Sequence, residues 1–519
     1  VSTAKKSVAQ LADLAGGTLL GAGAGEQPVS GISINAQACG PGDMFAAVPG
    51  TRAHGASFAV DSAAGAVLTD AAGAEILSNA GFDRPVVVVA DVRAVLGAVA
   101  SAIYGHPSDK LTIIGMTGTS GKTTTSYLVE AALLAVGRSV GLIGTTGTRI
   151  NGEPIPTQLT TPEAPTLQQL FATMVDKGVT HVVMEVSSHA ISLGRVAGTR
   201  FAVQGFANLS QDHLDFHHSM EEYFEAKAQW FTPLVDGDPA VADTKAVVVL
   251  ADEWAGRLAE RLGERADTVA LGDAAADVAP GEAAGPRFAV GAVTSRPGGG
   301  HGFSFIDHAT GAAAEVELPL PGRFNVANAA LALACLVEVG EDLEQSAHAL
   351  SRVAVPGRME RVDVGQPFLA VVDYAHKPAA VAAILRTLSE QVTGRVGIVI
   401  GAGGNRDTAK RPLMGAEAAR GADLVVVTDD NPRDEDPAAI RAAVLEGARA
   451  AGGRAVEIRE EPNRSRAIDA LVQWAQPGDA IVVAGKGHET GQLVAGVTHP
   501  FDDREELRRA LHAHAADTR

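Results

Sequence analysis

A chain of 519 residues, 46% hydrophobic and 20% charged, is too long for a single hydrophobic core, and at roughly 150 residues per domain it divides into about three. A formal net charge of −19 excludes a general nucleic-acid or anionic-membrane surface, which needs a positive field, although a local basic pocket for an anionic small molecule stays open. With only Cys39 and Cys335 there is no disulfide framework and no cysteine metal site. No signal-peptide pattern opens the sequence and no apolar run reaches about 18 residues, so a cytoplasmic enzyme is expected, with no membrane insertion and no nucleic-acid partner.

In chain order, short strands and helices are expected around Ser30–Ile34 and Gly42–Val48. Pro107-Ser108-Asp109 reads as a linker closing a first domain at residues 1–108. From Leu111 apolar β-rich runs alternate with helical patterns, which predicts a parallel sheet with crossover helices across 109–354. Ala274–Gly285, rich in Ala, Gly and acidic residues, reads as a surface loop. Arg287–Val293 and Phe303–Ile306 read as hairpin strands, and Asn325–Val339 as a helix. After Val355-Pro356-Gly357 the β/α alternation resumes over 355–519. The predicted fold is therefore α/β in three domains: an N-terminal α/β domain, a central parallel-sheet domain with a small antiparallel sheet, and a C-terminal Rossmann-like domain.

Within that last domain four predicted strands end in polar clusters. They are Val371–His376, Val399–Gly401 leading to Asn405-Arg406-Asp407, Val425–Thr428 leading to Asp430-Asn431-Pro432-Arg433, and Val482–Ala484 leading to Gly485-Lys486-Gly487-His488-Glu489. Ligands of open α/β sheets bind outside the carboxyl ends of the strands, so four such ends together predict a binding crevice.

The central domain begins with the apolar strand Ile113-Ile114-Gly115 and the loop Gly118-Thr119-Ser120-Gly121-Lys122-Thr123, followed by a helical pattern over Thr124–Val136. Such a unit points backbone N–H groups and a helix N-terminus at phosphate oxygens. Lys122 would then serve the β/γ-phosphates and Thr123 a Mg²⁺ ion. The strict pattern wants glycine where Met116 stands, so the spacing is a variant. A kinase, a transporter motor and a switch could all carry such a loop. Glu185, ending the apolar strand His181–Val186, is the candidate carboxylate for Mg²⁺, against a reading as a capping or salt-bridged residue. His213 is a candidate ligand, a helix cap or a core histidine.

Several segments then resemble the Mur ligase family of peptidoglycan precursor synthesis. They are Thr117–Thr124, Met184–His189, Asn208–Asp215, Gly322–Asn328, Pro356–Glu360 and Asp373–His376, in family order, and the likeness runs from about Ser30 to Glu489. Thr160–Thr166, Glu185–Ala190 and Gly485–Glu489 resemble the branch that adds the third residue of the stem peptide. Asp430-Asn431-Pro432-Arg433 resembles the subtype that adds meso-diaminopimelate. The far end of that amino acid carries a carboxylate that Arg433 could clamp with a bidentate fork; the alternative for Arg433, a helix-start arginine after a proline turn, is disfavoured because the motif sits at a strand end.

What the resemblance implies is an acyl-phosphate ligase taking UDP-N-acetylmuramoyl-L-alanyl-D-glutamate, meso-diaminopimelate and ATP, with Mg²⁺, acting as a monomer. It implies catalytic roles for Lys122, Glu185, His213, Lys227, Arg358 and Asp373. ATP contacts would come from Gly118, Thr119, Ser120, Gly121, Lys122, Thr123 and Thr124, joined by Asn325, Asn328, Arg358, Asp373, Tyr374 and His376. Thr123, Glu185, His213 and Lys227 would be metal ligands, Lys227 as a carbamate; without the resemblance, Lys227 reads as a solvated helix lysine. Asn325 and Asn328 equally suit a helix cap. The muropeptide would draw on Thr160, Thr161, Ser188, Arg195 and His54, and the amino acid on Arg406, Asp430, Asn431, Arg433, Gly485 and Glu489. Groups from two domains are needed, so domain closure over ATP is expected.

One departure concerns the first domain: relatives often show Asp-Ser-Arg near the place of Asn35-Ala36-Gln37, so the uridine contacts are expected from elsewhere, such as backbone amides or Arg52. The competing readings are the same reaction with L-lysine or L-ornithine, a folylpolyglutamate synthetase, a P-loop ATPase or switch without ligase activity, and a non-catalytic nucleotide-binding module.

Overall fold

The Val-, Ile- and Ala-rich runs form buried strands because both faces of a parallel sheet are covered by helices. The computed structural model describes residues 5–21, 25–157, 159–235, 241–272, 285–296, 299–405 and 407–517. The loop expected at 274–285 lies almost entirely outside the described residues, and Arg406 lies outside them too. The chain divides into two compact units: Val1–Asn208 with Phe224–Val269 and Leu331–Asp342, and Leu209–Tyr223 with Ala270–Ala330 and Leu343–Arg519.

Besides the two-stranded pair Lys6–Ser7 with Pro28–Val29, the described residues of the first unit hold strands of two larger sheets. In one the order is Thr18–Leu20, Val86–Val88, Ala66–Thr69, Asp43–Ala46, Gly31–Ser33, parallel except for the first pair. The helix Val92–Ile103, capped by Asp91, buries Val92, Leu96, Val99 and Ala100 against this sheet. The expected linker is a short 3₁₀ turn, Pro107–Lys110, leading into the next sheet. There the parallel strands run Val140–Gly144, His181–Glu185, Thr112–Thr117, Val203–Phe206, Lys245–Val249 and Ala266–Leu271, edged by the antiparallel strands Gly147–Ile150 and Glu153–Ile155. The helix read over Thr124–Val136 is Lys122–Ala135, beginning directly at the loop.

In the second unit, His301–Asp307 pairs antiparallel with both Phe288–Val290 and Ala312–Leu318. The hairpin strands read from sequence are thus present, with a longer second strand. Its main sheet runs Glu360–Arg361, Leu369–Asp373, Ala480–Ala484, Val396–Ile400, Leu424–Val427, Glu457–Glu460, all parallel after the first pair. The four strands expected to end in polar clusters are its four central strands, so the clusters share one edge.

A fully buried Arg464, opening the helix Arg464–Trp474, reaches Asp503 with Nε and Nη2, both at 2.7 Å, and donates to the Ala484 carbonyl at 2.9 Å. The pair ties the helix Asp503–Asp517 to the end of the strand Ala480–Ala484. Removing one partner of a buried pair strands the other charge away from water, at a cost of about 3–5 kcal/mol. Arg464→Leu should therefore lower the unfolding midpoint of the protein by several degrees in scanning calorimetry, and an unchanged midpoint would contradict this account.

Candidate functional site

The glycine loop leaves the strand Thr112–Thr117 and enters the helix Lys122–Ala135 through two glycines at positive φ, Gly118 (+150°) and Gly121 (+88°). A side chain at Gly118 would stand 3.0 Å from the Ala207 Cβ as well as being strained. Asn208 holds the loop open from the neighbouring strand end. Its carbonyl accepts from Thr119 N–H (3.0 Å), its Oδ1 from Ser120 N–H (3.0 Å), and its Nδ2 donates to the Ser120 carbonyl (3.1 Å). Lys122 curls back, donating from Nζ to the carbonyls of Gly118 (2.7 Å) and Thr119 (3.2 Å). Thr123 and Thr124 are buried in the first helical turn.

Glu185 is 1% exposed. Its Oε1 accepts from the Thr123 hydroxyl and the Thr145 N–H, each at 2.9 Å, and its Oε2 from the Thr145 hydroxyl at 2.9 Å. It thus gathers donors from the first turn of the loop helix and from the end of the strand Val140–Gly144. Its own carbonyl accepts from the Thr161 hydroxyl at 2.8 Å, and Thr160 Oγ1 stands 3.4 Å from Thr145 Oγ1. Thr123, Glu185, Thr160 and Thr161 are therefore brought together.

Lys227, on the helix Met220–Ala228, is buried, not solvated as an ordinary helix lysine would be. Its Nζ donates to the Gly118 carbonyl (3.1 Å) and the Thr117 hydroxyl (3.3 Å). No group of three or more His, Cys, Asp or Glu suited to a metal occurs among the described residues. The donors beside the glycine loop, Thr123 Oγ1 and the Glu185 carboxylate, are oxygens, which fits a Mg²⁺ ion completing its shell with water and phosphate oxygens.

The residues assigned to the muropeptide are engaged within the chain. Arg195 Nε lies 2.8 Å from Glu163 Oε1, and its Nη1 donates to the Thr161 carbonyl at 3.3 Å. Ser188 is buried in the first turn of the helix Ser188–Ser192, capped by Ser187. His54 accepts from Ala56 N–H at Nδ1 and meets Asp70 Oδ1 through Nε2, both at 3.0 Å, so the ring is held as the Nε2–H tautomer. Asn35 Oδ1 caps a short 3₁₀ turn over Ala36–Ala38, and Arg52 is exposed.

In the second unit, Asn325 and Asn328 form a local chain: Asn328 Nδ2 donates to Asn325 Oδ1 (3.0 Å), and Asn325 Nδ2 to the Pro321 carbonyl (2.7 Å). Asp373 ends its strand accepting from Met359 N–H and Ala375 N–H, each at 2.7 Å. Burial raises its carboxyl above the ordinary value, with Arg358 and these N–H groups opposing. The Arg358 guanidinium lies 4.3 Å from the centre of the Tyr374 ring, which also meets His376 at 4.5 Å. His213, at φ +52°, pairs through Nε2 with Asp212 Oδ2 at 3.0 Å, and Asp212 also meets Lys377 Nζ at 2.6 Å. Burial opposes ionisation of Asp212, but Lys377 and His213 outweigh it and hold the carboxyl well below the usual range.

Five of the residues assigned to the amino acid come together at the sheet edge. Asn431 Nδ2 donates to Glu489 Oε2 at 2.8 Å. Arg433 is not at a helix start; it sits at φ +54°, its N–H bonded to the Leu493 carbonyl (2.9 Å) and its Nη1 to the Gly404 carbonyl (2.7 Å). Gly485, at φ +118°, has the Asp430 carboxylate where a Cβ would stand, 2.6 Å away. Arg406 lies outside the described residues. Sequence reasoning passed over Asn208, Lys486 and Glu163; each sat inside a quoted motif, and only its partner across the fold gives it a role.

Three family models match the chain: "Mur ligase family, catalytic domain" over 28–104, "Mur ligase middle domain" over 116–336, and "Mur ligase, glutamate ligase domain" over 357–487. The chain is 59% identical to the UDP-N-acetylmuramoyl-L-alanyl-D-glutamate--2,6-diaminopimelate ligase of Corynebacterium glutamicum, covering 94% of this chain and 92% of that one. It is 47% identical to the enzyme of the same name from Streptomyces avermitilis, over 97% of each. A solved structure of a ligase of that name superposes with a TM-score of 0.65 at 29% identity, covering 99% of this chain and 100% of the other. No described helix is long and apolar enough to cross a membrane.

The His376 Nδ1–H donates to the Tyr374 carbonyl at 2.7 Å, and burial, with Lys377 and Lys410 adding, holds the imidazole well below its ordinary value of 6.5. Since the folded value is depressed, this group contributes stability above the unfolded value, and that contribution is lost as the pH falls through the folded value. Imidazole NMR at pH about 6, where a free ring is mostly charged, should show His376 neutral and protonated on Nδ1. A charged ring there would overturn the assignment.

Proposed function

The chain belongs to the Mur ligase family, and on that footing we propose that it joins meso-diaminopimelate to the γ-carboxylate of UDP-N-acetylmuramoyl-L-alanyl-D-glutamate, converting ATP to ADP and phosphate. The observation that carries the reading is the grouping of Asn431, Arg433, Gly485 and Glu489 at one sheet edge, with a guanidinium and a carboxylate available for the two charged groups at the far end of the amino acid. In the same reading residues 1–108 carry the UDP-muropeptide, 109–354 the ATP, and 355–519 the amino acid.

The γ-carboxylate oxygen attacks the terminal phosphorus of ATP, and the bond to the ADP oxygen breaks. The amine of diaminopimelate, having lost a proton, then attacks the acyl carbon, and the tetrahedral intermediate expels phosphate. Negative charge gathers on phosphoryl oxygens throughout, so fixed donors and cations do most of the catalytic work. The loop N–H groups and the helix start at Lys122 face the phosphates, and Lys122, released from the Gly118 carbonyl, follows them. Thr123 and Glu185 would hold Mg²⁺, which would supply positive charge against the phosphate oxygens. Lys227 as a carbamate would add an oxygen ligand; its burial beside Gly118 supports that placement. His213 is assigned to a second metal ion. Thr160, Thr161, Ser188 and Arg195 are assigned to the muropeptide, and Asn325, Asn328, Arg358, Asp373, Tyr374 and His376 to the nucleotide.

Purified protein with ATP, Mg²⁺ and the UDP-muropeptide should release phosphate with diaminopimelate and far more slowly with lysine or ornithine; faster turnover with lysine would refute the choice of amino acid. Loss of a charge-assisted bond to a carboxylate removes about 1.5–3 kcal/mol. Arg433→Ala should accordingly raise the KM for diaminopimelate about ten- to a hundredfold while the KM for the muropeptide holds, and equal rises in both would sink the assignment.

A further inference from the structure

Lys486 is completely buried. Its Nζ donates to Asn431 Oδ1 and to Glu489 Oε2, both at 3.0 Å. Asn431 Oδ1 accepts a second bond, from Leu493 N–H at 2.9 Å. With an ammonium and an amide N–H both aimed at one atom, that atom must be the carbonyl oxygen; the flipped amide would face donors with donors. The Asn431 Nδ2 is thereby turned to Glu489.

Main-chain bonds tie the neighbouring segments together. Arg433 N–H bonds to the Leu493 carbonyl and Ala495 N–H to the Arg433 carbonyl at 2.6 Å, joining the Asp430–Arg433 turn to the hairpin Gly491–Val494 and Val497–Pro500. Gly404 N–H donates to the Asn431 carbonyl at 2.9 Å. Lys486 is a buried cation bonded to both the segment bearing Glu489 and the segment bearing Asn431 and Arg433, with Arg464 buried nearby at Ala484.

We infer that Lys486 is a positioning and specificity-setting residue for the amino-acid substrate, acting through Asn431 and Glu489 without touching the ligand; this rests on the function proposed above. It sets the amide of Asn431 and offsets part of the charge of Glu489. The same sheet edge then offers the guanidinium of Arg433 and a tempered carboxylate, a balance suited to a substrate end bearing both an ammonium and a carboxylate. An end bearing an ammonium alone would leave the Arg433 guanidinium without an anionic partner from the substrate, which disfavours it.

The test is steady-state kinetics of full-length Lys486→Met and Lys486→Arg with each of the three substrates varied, together with Glu489→Gln and the double variant Lys486→Met/Glu489→Gln. Lys486→Met should raise the KM for diaminopimelate at least about tenfold, with the KM values for ATP and the muropeptide within about twofold of the parent. Lys486→Arg should recover part of the loss. In the Glu489→Gln background the Met substitution should cost clearly less than in the parent, because the two side chains act as a unit. If Lys486→Met does not fold, Lys486→Gln is read by the same criteria.

An unchanged KM for diaminopimelate, equal rises for all three substrates, or strictly additive effects with Glu489→Gln would each overturn the inference and leave Lys486 a structural support. The parent enzyme separates the two proposals. Absence of diaminopimelate-dependent phosphate release by the parent refutes the function and this inference with it, whereas an active parent with an indifferent Lys486→Met refutes the inference alone.

Discussion

A carboxylate sealed from water must find donors for its lone pairs, and the way Glu185 meets that requirement determines the geometry around the glycine loop. It draws on the first turn of the loop helix through Thr123 and on the next strand end through Thr145, while its backbone carbonyl holds Thr161. Gly144 stands where it does because a Cβ there would come 2.5 Å from the same carboxylate. Three segments distant in sequence are thereby held in register by one side chain, with Asn208 pinning the loop from the other side. An unsatisfied carboxylate in that position would cost several kcal/mol, so the network is all or nothing.

The second unit answers the same requirement with the opposite charge. Arg464 and Lys486 are cations with no access to water, and each distributes its donors over oxygens of different segments, Arg464 between a strand end and the start of the last helix, Lys486 between two loops that follow strands. Arg464 anchors the carbonyl of Ala484, the residue just before Gly485. Two residues further on, Lys486 holds the side chains that follow. The polar edge of the sheet is therefore shaped by buried charge as much as by its hydrophobic core, and the residues assigned to the amino acid inherit their orientation from groups that need never meet it.

Much of the fold was legible because it depends on local pattern. Apolar runs bounded by glycine and polar clusters marked the strands, and the helix read over Thr124–Val136 is displaced from Lys122–Ala135 by two residues at its start and one at its end. The four polar strand ends were legible for the same reason, and the topology places them side by side. Pairings were not legible, because they depend on which distant segment the fold brings near. Nothing in Phe224-Glu225-Ala226-Lys227 marks its lysine as buried. Nothing around Arg195 announces that Glu163 will engage it, and His54 carries no local sign that both its ring nitrogens are engaged. Lys486 lay inside a quoted motif, yet a lone lysine is ordinarily a surface residue. Only the register of the strands Leu424–Val427 and Ala480–Ala484 within one sheet brings it to Asn431.

Gly404 sits so close to the Asp430–Arg433 turn that a Cβ on it would lie 1.9 Å from the Pro432 carbonyl, and a Cβ on Gly357 would lie 2.2 Å from the backbone at Gly487 and His488. Backbone against backbone leaves no room for even a methyl group. The contour of this edge is thus closed to gradual remodelling: a lineage that came to use a different amino acid would have to do so by exchanging side chains such as Arg433 on an unaltered main chain. An antibacterial compound shaped to that main chain would accordingly face few routes of escape by point substitution, whereas one relying on the side chains alone would face many.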